Sequence, residues 1–160
     1  MIAVGFNARH LADPEMRGLT RHTVELLRAL SRAGTLRLVL FSDRPLYEPH
    51  LEGVTAEQVL FSCRRESLWE HGGLPFKLRS HKIDVFHATA DRGLPLLKAV
   101  PCVVTVHDSY ERNHWRLLFP TTKTRIRYLL HEIINYYLAD MMITVSDFTR
   151  NELVTLKVAP

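Results

Sequence analysis

Ile2-Ala3-Val4-Gly5-Phe6, the segment from Leu19 to Ala33, and Leu36-Arg37-Leu38-Val39-Leu40-Phe41 form the opening stretch that decides the fold. The first run is apolar without polar alternation, the pattern of a strand buried on both faces of a parallel sheet. In the middle segment Leu19, Thr23, Leu26, Leu27 and Leu30 fall on helical spacing, and Gly34 supplies a stop just past Arg32. The third run is apolar again and closes on Ser42-Asp43-Arg44-Pro45. Strand, helix and strand in that order make a βαβ unit, so the two strands are predicted to be parallel and joined by a right-handed crossover.

Downstream, the same alternation repeats. Gln58 to Phe61 is predicted as a short third strand, and Glu66 to Ser80 as a helix broken around Gly72-Gly73 and Pro75. Ile83 to Ala88 and Val100 to Val106 read as further buried strands, with Pro101 placed at a strand start where no ladder donor is needed. Ile126, Leu129, Leu130, Ile133, Ile134, Tyr137 and Leu138 follow the periodicity of a long amphipathic helix with a buried apolar stripe. Met141 to Val145 is a sixth strand, and Ser146 is placed to cap a last helix through Phe148 and Leu153. The prediction is an α/β domain: a Rossmann-like, three-layer arrangement with a mainly parallel sheet covered by helices on both faces.

With 160 residues, 46% hydrophobic and 24% charged, the chain matches one ordinary globular domain. No run approaches the ~20 apolar residues that span a bilayer, and the start lacks a basic leader with a cleavage site, so a cytoplasmic location is expected. Cys63 and Cys102 lie outside any paired spacing and are expected to be reduced and buried. The net charge of +4 is spread along the chain without a recognition motif, which argues against specific nucleic-acid binding.

In a parallel sheet, ligands bind beyond the carboxyl ends of the strands, so the residues after each strand are the candidates. After the first strand comes Arg17-Gly18-Leu19, with Arg21 one turn on; after the fourth, Thr89-Ala90-Asp91; after the fifth, His107-Asp108-Ser109; after the sixth, Ser146. Gly18 at a helix start lets a ligand approach the positive end of the helix dipole, or simply permits a turn. No G-x-G-x-x-G follows the first strand, which argues against a dinucleotide cofactor. His107-Asp108 is the best chemical candidate, because an imidazole at a strand end can exchange hydrogen bonds with a sugar hydroxyl; the alternative is a histidine satisfying loop backbone. His87, Asp91, His107, Asp108 and His114 lack metal-ligand spacing, and Ser146 lacks a nucleophile elbow. Arg112, Arg116, Lys123, Arg125 and Arg127, interleaved with Trp115, Phe119 and Tyr128 and with no acid among them, suit either a solvated helix face or a peripheral contact with an anionic bilayer.

Gly18-Leu19-Thr20-Arg21-His22, Leu68-Trp69 before Leu74-Pro75, Asp84-Val85-Phe86-His87, Thr105-Val106-His107-Asp108 and the run from Ala139 to Leu153 together resemble the N-terminal domain of glycosyltransferase family 4, retaining enzymes of the GT-B fold. The resemblance implies the acceptor-side half of a two-domain enzyme. A nucleotide-sugar would then be a co-substrate held mainly by a C-terminal donor domain, with no metal and no further cofactor. It implies that Gly18 lines the cleft near the donor phosphates, that His107 approaches the transferred sugar, that Ser146 lies at the cleft edge, and that the acceptor is a sugar, lipid or other small molecule. Together with the strand-end positions this makes His107 and Asp108 the expected catalytic residues and Gly18, Arg21, Thr89, Asp91 and Ser146 the expected substrate contacts. Thr20 and His22 depart from the family's commoner glycine and tyrosine. No two glutamates stand eight positions apart, so the donor domain's Glu-x7-Glu signature cannot be drawn from this chain, which is expected to be a fragment incomplete for catalysis. A stand-alone binding module with a transferase-like fold is the alternative.

Overall fold

The computed structural model describes residues 1–156, apart from the side chains at positions 111, 112 and 131–135. Strand β1 (Ile2–Asn7) leads through a 3-10 turn at Arg9–Ala12 into α1 (Gly18–Ala33), and β2 (Leu36–Ser42) returns parallel to β1 with Val4 opposite Leu38. Gly34 ends α1 in the left-handed conformation, φ 65°, with its N–H on the Leu30 carbonyl at 3.3 Å. Strand β3 (Glu57–Leu60) starts one residue earlier than expected. Phe61, just past its end, still donates its N–H to the Ser42 carbonyl at 3.1 Å while its ring stacks on Trp69, with ring centroids 4.8 Å apart.

The expected break between Glu66 and Ser80 is not one. Helix α2 (Glu66–Leu68) runs through a π turn (Trp69–Gly73) directly into α3 (Leu74–Ser80). The wider π turn admits Pro75 in the first turn of α3 without ending the helix. Then follow β4 (Val85–Ala88), β5 (Cys102–Val106), α4 (Tyr110–Leu118), α5 (Thr122–Leu138), β6 (Met141–Thr144) and α6 (Asp147–Thr155). Strand β4 begins later than Ile83; just before it Asp84 meets Ala3 of β1 twice, its N–H donating to the Ala3 carbonyl at 2.9 Å and its carboxylate accepting from the Ala3 N–H at 2.8 Å. Pro101 lies just before β5 and contributes only its carbonyl, which accepts from the Phe86 N–H at 2.9 Å.

The six strands form one sheet in the order β3-β2-β1-β4-β5-β6, with every neighbouring pair parallel. This is the Rossmann-like α/β architecture. Side chains alternate between its faces. Leu38 and Leu40 pack with Phe6, Val24 and Leu27 under α1, whereas Val39 and Phe41 join Trp69, Leu74, Leu78 and Leu153 under α2, α3 and α6. Gly5 belongs at the centre of the second face, because a Cβ there would sit 2.9 Å from the Phe41 ring.

Two expectations about burial fail. Cys63 is exposed, on the segment leading into α2, and only Cys102 is buried. Helix α5 forms, with a capping box between Thr121 and Thr124, but its apolar stripe is not covered: Ile126 and Leu130 are each 54% exposed and Tyr137 is 77% exposed. The helix docks instead through Tyr128, which stacks on Phe119, and through Tyr136 and Leu138 near its end. Ile133 and Ile134 fall among the side chains outside the description.

Candidate functional site

All strands point the same way, so their carboxyl ends share one rim. The order reverses between β1 and β4, which opens a crevice beyond Asn7 and Ala88. His107, half-buried just past β5, is tied there from three sides. Its N–H donates to Asp91 Oδ1 at 2.6 Å, its Nε2 lies 2.8 Å from the Thr89 carbonyl, and its own carbonyl accepts from Thr149 Oγ1 at 3.4 Å. A carbonyl can only accept, so Nε2 carries a hydrogen, and in the neutral ring Nδ1 is the acceptor. His22, one turn into α1, meets the His107 ring edge-on at 4.8 Å, which brings the start of α1 to the same rim.

The other sequence candidates fall around this hub in different ways. Ser146 is exposed and caps α6, its Oγ accepting from the Thr149 N–H at 3.1 Å, and Thr149 links it to His107. Asp91 is the acceptor that fixes the His107 backbone. Thr89 is fully buried; its hydroxyl receives from Thr23 at 2.9 Å, so it reaches the rim through its carbonyl rather than its side chain. Asp108 is exposed and accepts from the Tyr110 N–H at 2.9 Å at the start of α4. Gly18 opens α1 with nothing within 4 Å of where a Cβ would stand, beside an exposed Arg21. His87 turns into the sheet, 2.8 Å from Thr105 Oγ1, and His114 lies against the Tyr110 carbonyl of its own helix. No group of three metal-ligating side chains converges among the described residues.

Beside the hub, at the reversal of strand order, a cavity of about 590 Å³ opens. Its charged walls come from distant parts of the chain: Arg9 after β1, Arg44 after β2, Glu70 in the π turn, Arg92 after β4 and Arg127 on α5. Arg9 is spent on structure, bonded to Asp43 at 2.9 Å and Glu66 at 2.8 Å and lying over Trp69. Burial, helped by Glu66, pushes the Glu70 carboxyl up to about 7 against the pull of Arg9 and Arg92. His10, also in the wall, bonds Thr23 at 3.0 Å, so the cavity and His107 are joined through Thr23 and Thr89. Burial, aided by the neighbouring His107 and His50, holds His10 down to about 4, and this imidazole stays neutral near pH 7.

The family model described as Glycosyltransferase Family 4 matches residues 16–160. The chain belongs to that family. Among solved structures, Anabaena HepE, crystallised in complex with UDP, aligns with 98% of this chain at a TM-score of 0.57 and 14% identity. A glycosyltransferase from Rickettsia africae aligns with 99% of it at a TM-score of 0.47 and 10% identity. The chain spans 41% of the first and 50% of the second. No curated protein matches it in sequence.

For a family 4 domain, the rim residues were the legible ones, because each follows a readable strand. The cavity arginines were not. Arg9, Arg44 and Arg92 stand in loops of no periodicity, and Arg127 hides within the basic run of α5. One signal was available for Glu70: an acid between Trp69 and the buried Leu74, on a helix side that packs inward.

Proposed function

We propose that this domain is the acceptor side of a retaining glycosyltransferase that moves a sugar from a nucleotide-sugar to a small-molecule acceptor, with the donor held mainly by a second, C-terminal half. The observation that carries this is the His107 hub at the mouth of the strand-order reversal, in a family 4 chain. Its Nδ1, in the neutral ring, can accept from a hydroxyl of the transferred sugar, with the backbone held by Asp91 and Thr149 and the ring by the Thr89 carbonyl before substrate arrives. Asp108 stands next to it at the start of α4. The unpaired N–H groups of the first turn of α1, beginning at Gly18, face the donor phosphates, with Arg21 adding positive charge. Asp91 and Thr89 act through His107, and Ser146 lines the edge of the cleft.

In a retaining transfer of this kind the nucleotide leaves and the acceptor oxygen attacks on the same face of the sugar. The domain's contribution is positioning and stabilisation of developing charge rather than a nucleophile, and no cofactor beyond the nucleotide-sugar takes part. The test is transfer of labelled sugar by a polypeptide in which residues 1–160 precede a donor-binding half: His107→Gln should abolish most turnover, and normal turnover would count against the assignment.

The uncovered apolar side chains of α4 and α5 support a peripheral contact at the inner face of an anionic membrane as part of the same function. Leu117, Ile126 and Leu130 are exposed beside exposed Arg116 and Lys123, and positions 113–130 hold no acid. Apolar side chains flanked by unopposed cations match an anionic lipid surface. Arg125 is excluded from that face, since it is turned onto the Phe119 and Arg116 carbonyls. No described helix is long and apolar enough to cross a membrane.

A further inference from the structure

Glu70 follows Trp69 in the π turn, is only 5% exposed, and lines the cavity at the strand-order reversal. Among the described residues its carboxyl makes no hydrogen bond and no ion pair, whereas Glu66, the other acid on that wall, is taken up by Arg9. An acid this deeply buried normally has a partner. The π turn fixes its position. Trp69 turns inward, stacks on Phe61 and donates its Nε1 hydrogen to the Phe61 carbonyl at 2.8 Å. Gly73 admits the same ring, since a Cβ there would stand 2.7 Å from it. With its inner side clamped in this way, the turn leaves Glu70 and His71 on the cavity wall, and π turns recur at functional sites. His71 is oriented as well: its Nδ1 accepts from the Leu96 N–H at 3.2 Å, so the ring's hydrogen is on Nε2. Burial holds this imidazole below its ordinary pKa and favours that neutral form.

We propose that Glu70 and His71 select the acceptor by reading two neighbouring hydroxyls of a neutral polyol, a monosaccharide or cyclitol unit, one donating to the Glu70 carboxyl and the other accepting from His71 Nε2–H. The inference rests on the acceptor-side reading above and names the group recognised and the residues that recognise it. An acceptor and a donor on adjacent residues match a vicinal diol, because each hydroxyl can both give and take a hydrogen bond. A cationic guest would meet Arg44 on the same wall, and an anionic one would face Glu70 itself. The link from His10 through Thr23 and Thr89 to His107 joins this wall to the hub, so a further hydroxyl of the same unit can be presented at the rim.

Ligand-observed NMR titration of the 160-residue chain tests this with glucose, mannose, galactose and myo-inositol as neutral polyols and glucosamine and glucuronate as charged comparators. The expected result is saturable binding of at least one neutral polyol, tighter than either charged sugar and weakened about tenfold or more in Glu70→Ala and in His71→Ala, each still unfolding cooperatively. His71 is half-buried and can be truncated without opening the core, so its variant carries the test even where Glu70→Ala fails to fold. Glu48→Gln, at an exposed acid outside the cavity, should bind like wild type. No saturable binding of any neutral polyol, stronger binding of glucosamine or glucuronate, or an unchanged affinity in a folded variant would overturn the proposal. No donor is present in this titration, so its failure leaves the transfer reading standing, and that reading fails separately in the turnover assay.

Discussion

His107 donates its Nε2 hydrogen to the buried Thr89 carbonyl, so its packing and its chemistry can be separated only by a substitution that respects that bond. His107→Ala would orphan the carbonyl, a cost of about 1–3 kcal/mol in stability. In His107→Gln the side-chain amide can replace Nε2–H, while the Nδ1 acceptor is lost. In an active two-half enzyme we expect near-normal Tm and kcat lowered about 10²–10³-fold, read by thermal unfolding and initial rates on one preparation. Unchanged kcat would make it a structural histidine. Glu70 carries a second prediction. Its folded pKa, about 7, lies above its ordinary 4.5, so the native state binds the extra proton. The resulting stabilisation is complete below pH 4.5 and is lost as pH rises through 7. His10 and His87, both held down to about 4 by burial, act oppositely: their contribution is present above 6.5 and lost as pH falls through 4. The wild-type curve blends these, so the Glu70→Gln comparison is needed. The urea-unfolding free energy of wild type minus variant should fall by about 2–3 kcal/mol from pH 5 to pH 8, and a flat difference would contradict the buried carboxyl.

At the scale of elements, α6 depends on its cap. Ser146→Ala should cost about 1 kcal/mol in denaturant unfolding and Ser146→Asp much less, whereas equal losses would point to a role beyond capping. The face formed by α4 and α5 should bind vesicles containing phosphatidylglycerol more tightly than phosphatidylcholine alone. Arg116→Gln and Lys123→Gln should each weaken that binding by about 1 kcal/mol, seen by co-sedimentation, and indifference to lipid charge would rule it out. These elements differ in how far the sequence revealed them. Strands β1, β2, β5 and β6 and helices α1, α5 and α6 were legible because apolar period and stop residues agree locally, as Gly34 and Ser146 illustrate. The π turn was not, since the outcome at Gly72-Gly73-Pro75 depends on Phe61 and Trp69 stacking from another part of the chain. Periodicity placed α5 on the map but could not say what covers its stripe. The rim was readable because strand ends are local; the arginine cavity was not, because tertiary structure alone joins positions 44, 92 and 127.

On the scale of the molecule, six parallel strands reverse order at β1 and β4 and gather a polar hub and a basic cavity on one edge. The chain matches less than half of HepE, and it lacks two glutamates spaced eight apart. The central claim is that this edge is half of a transferase site, and the direct measurement is sugar transfer from a labelled nucleotide-sugar by residues 1–160 alone, by the donor-binding half alone, and by the two joined. The expected result is turnover only from the joined protein, with the anomeric configuration of the donor retained in the product. Comparable transfer by residues 1–160 alone, or an inverted product, would contradict it.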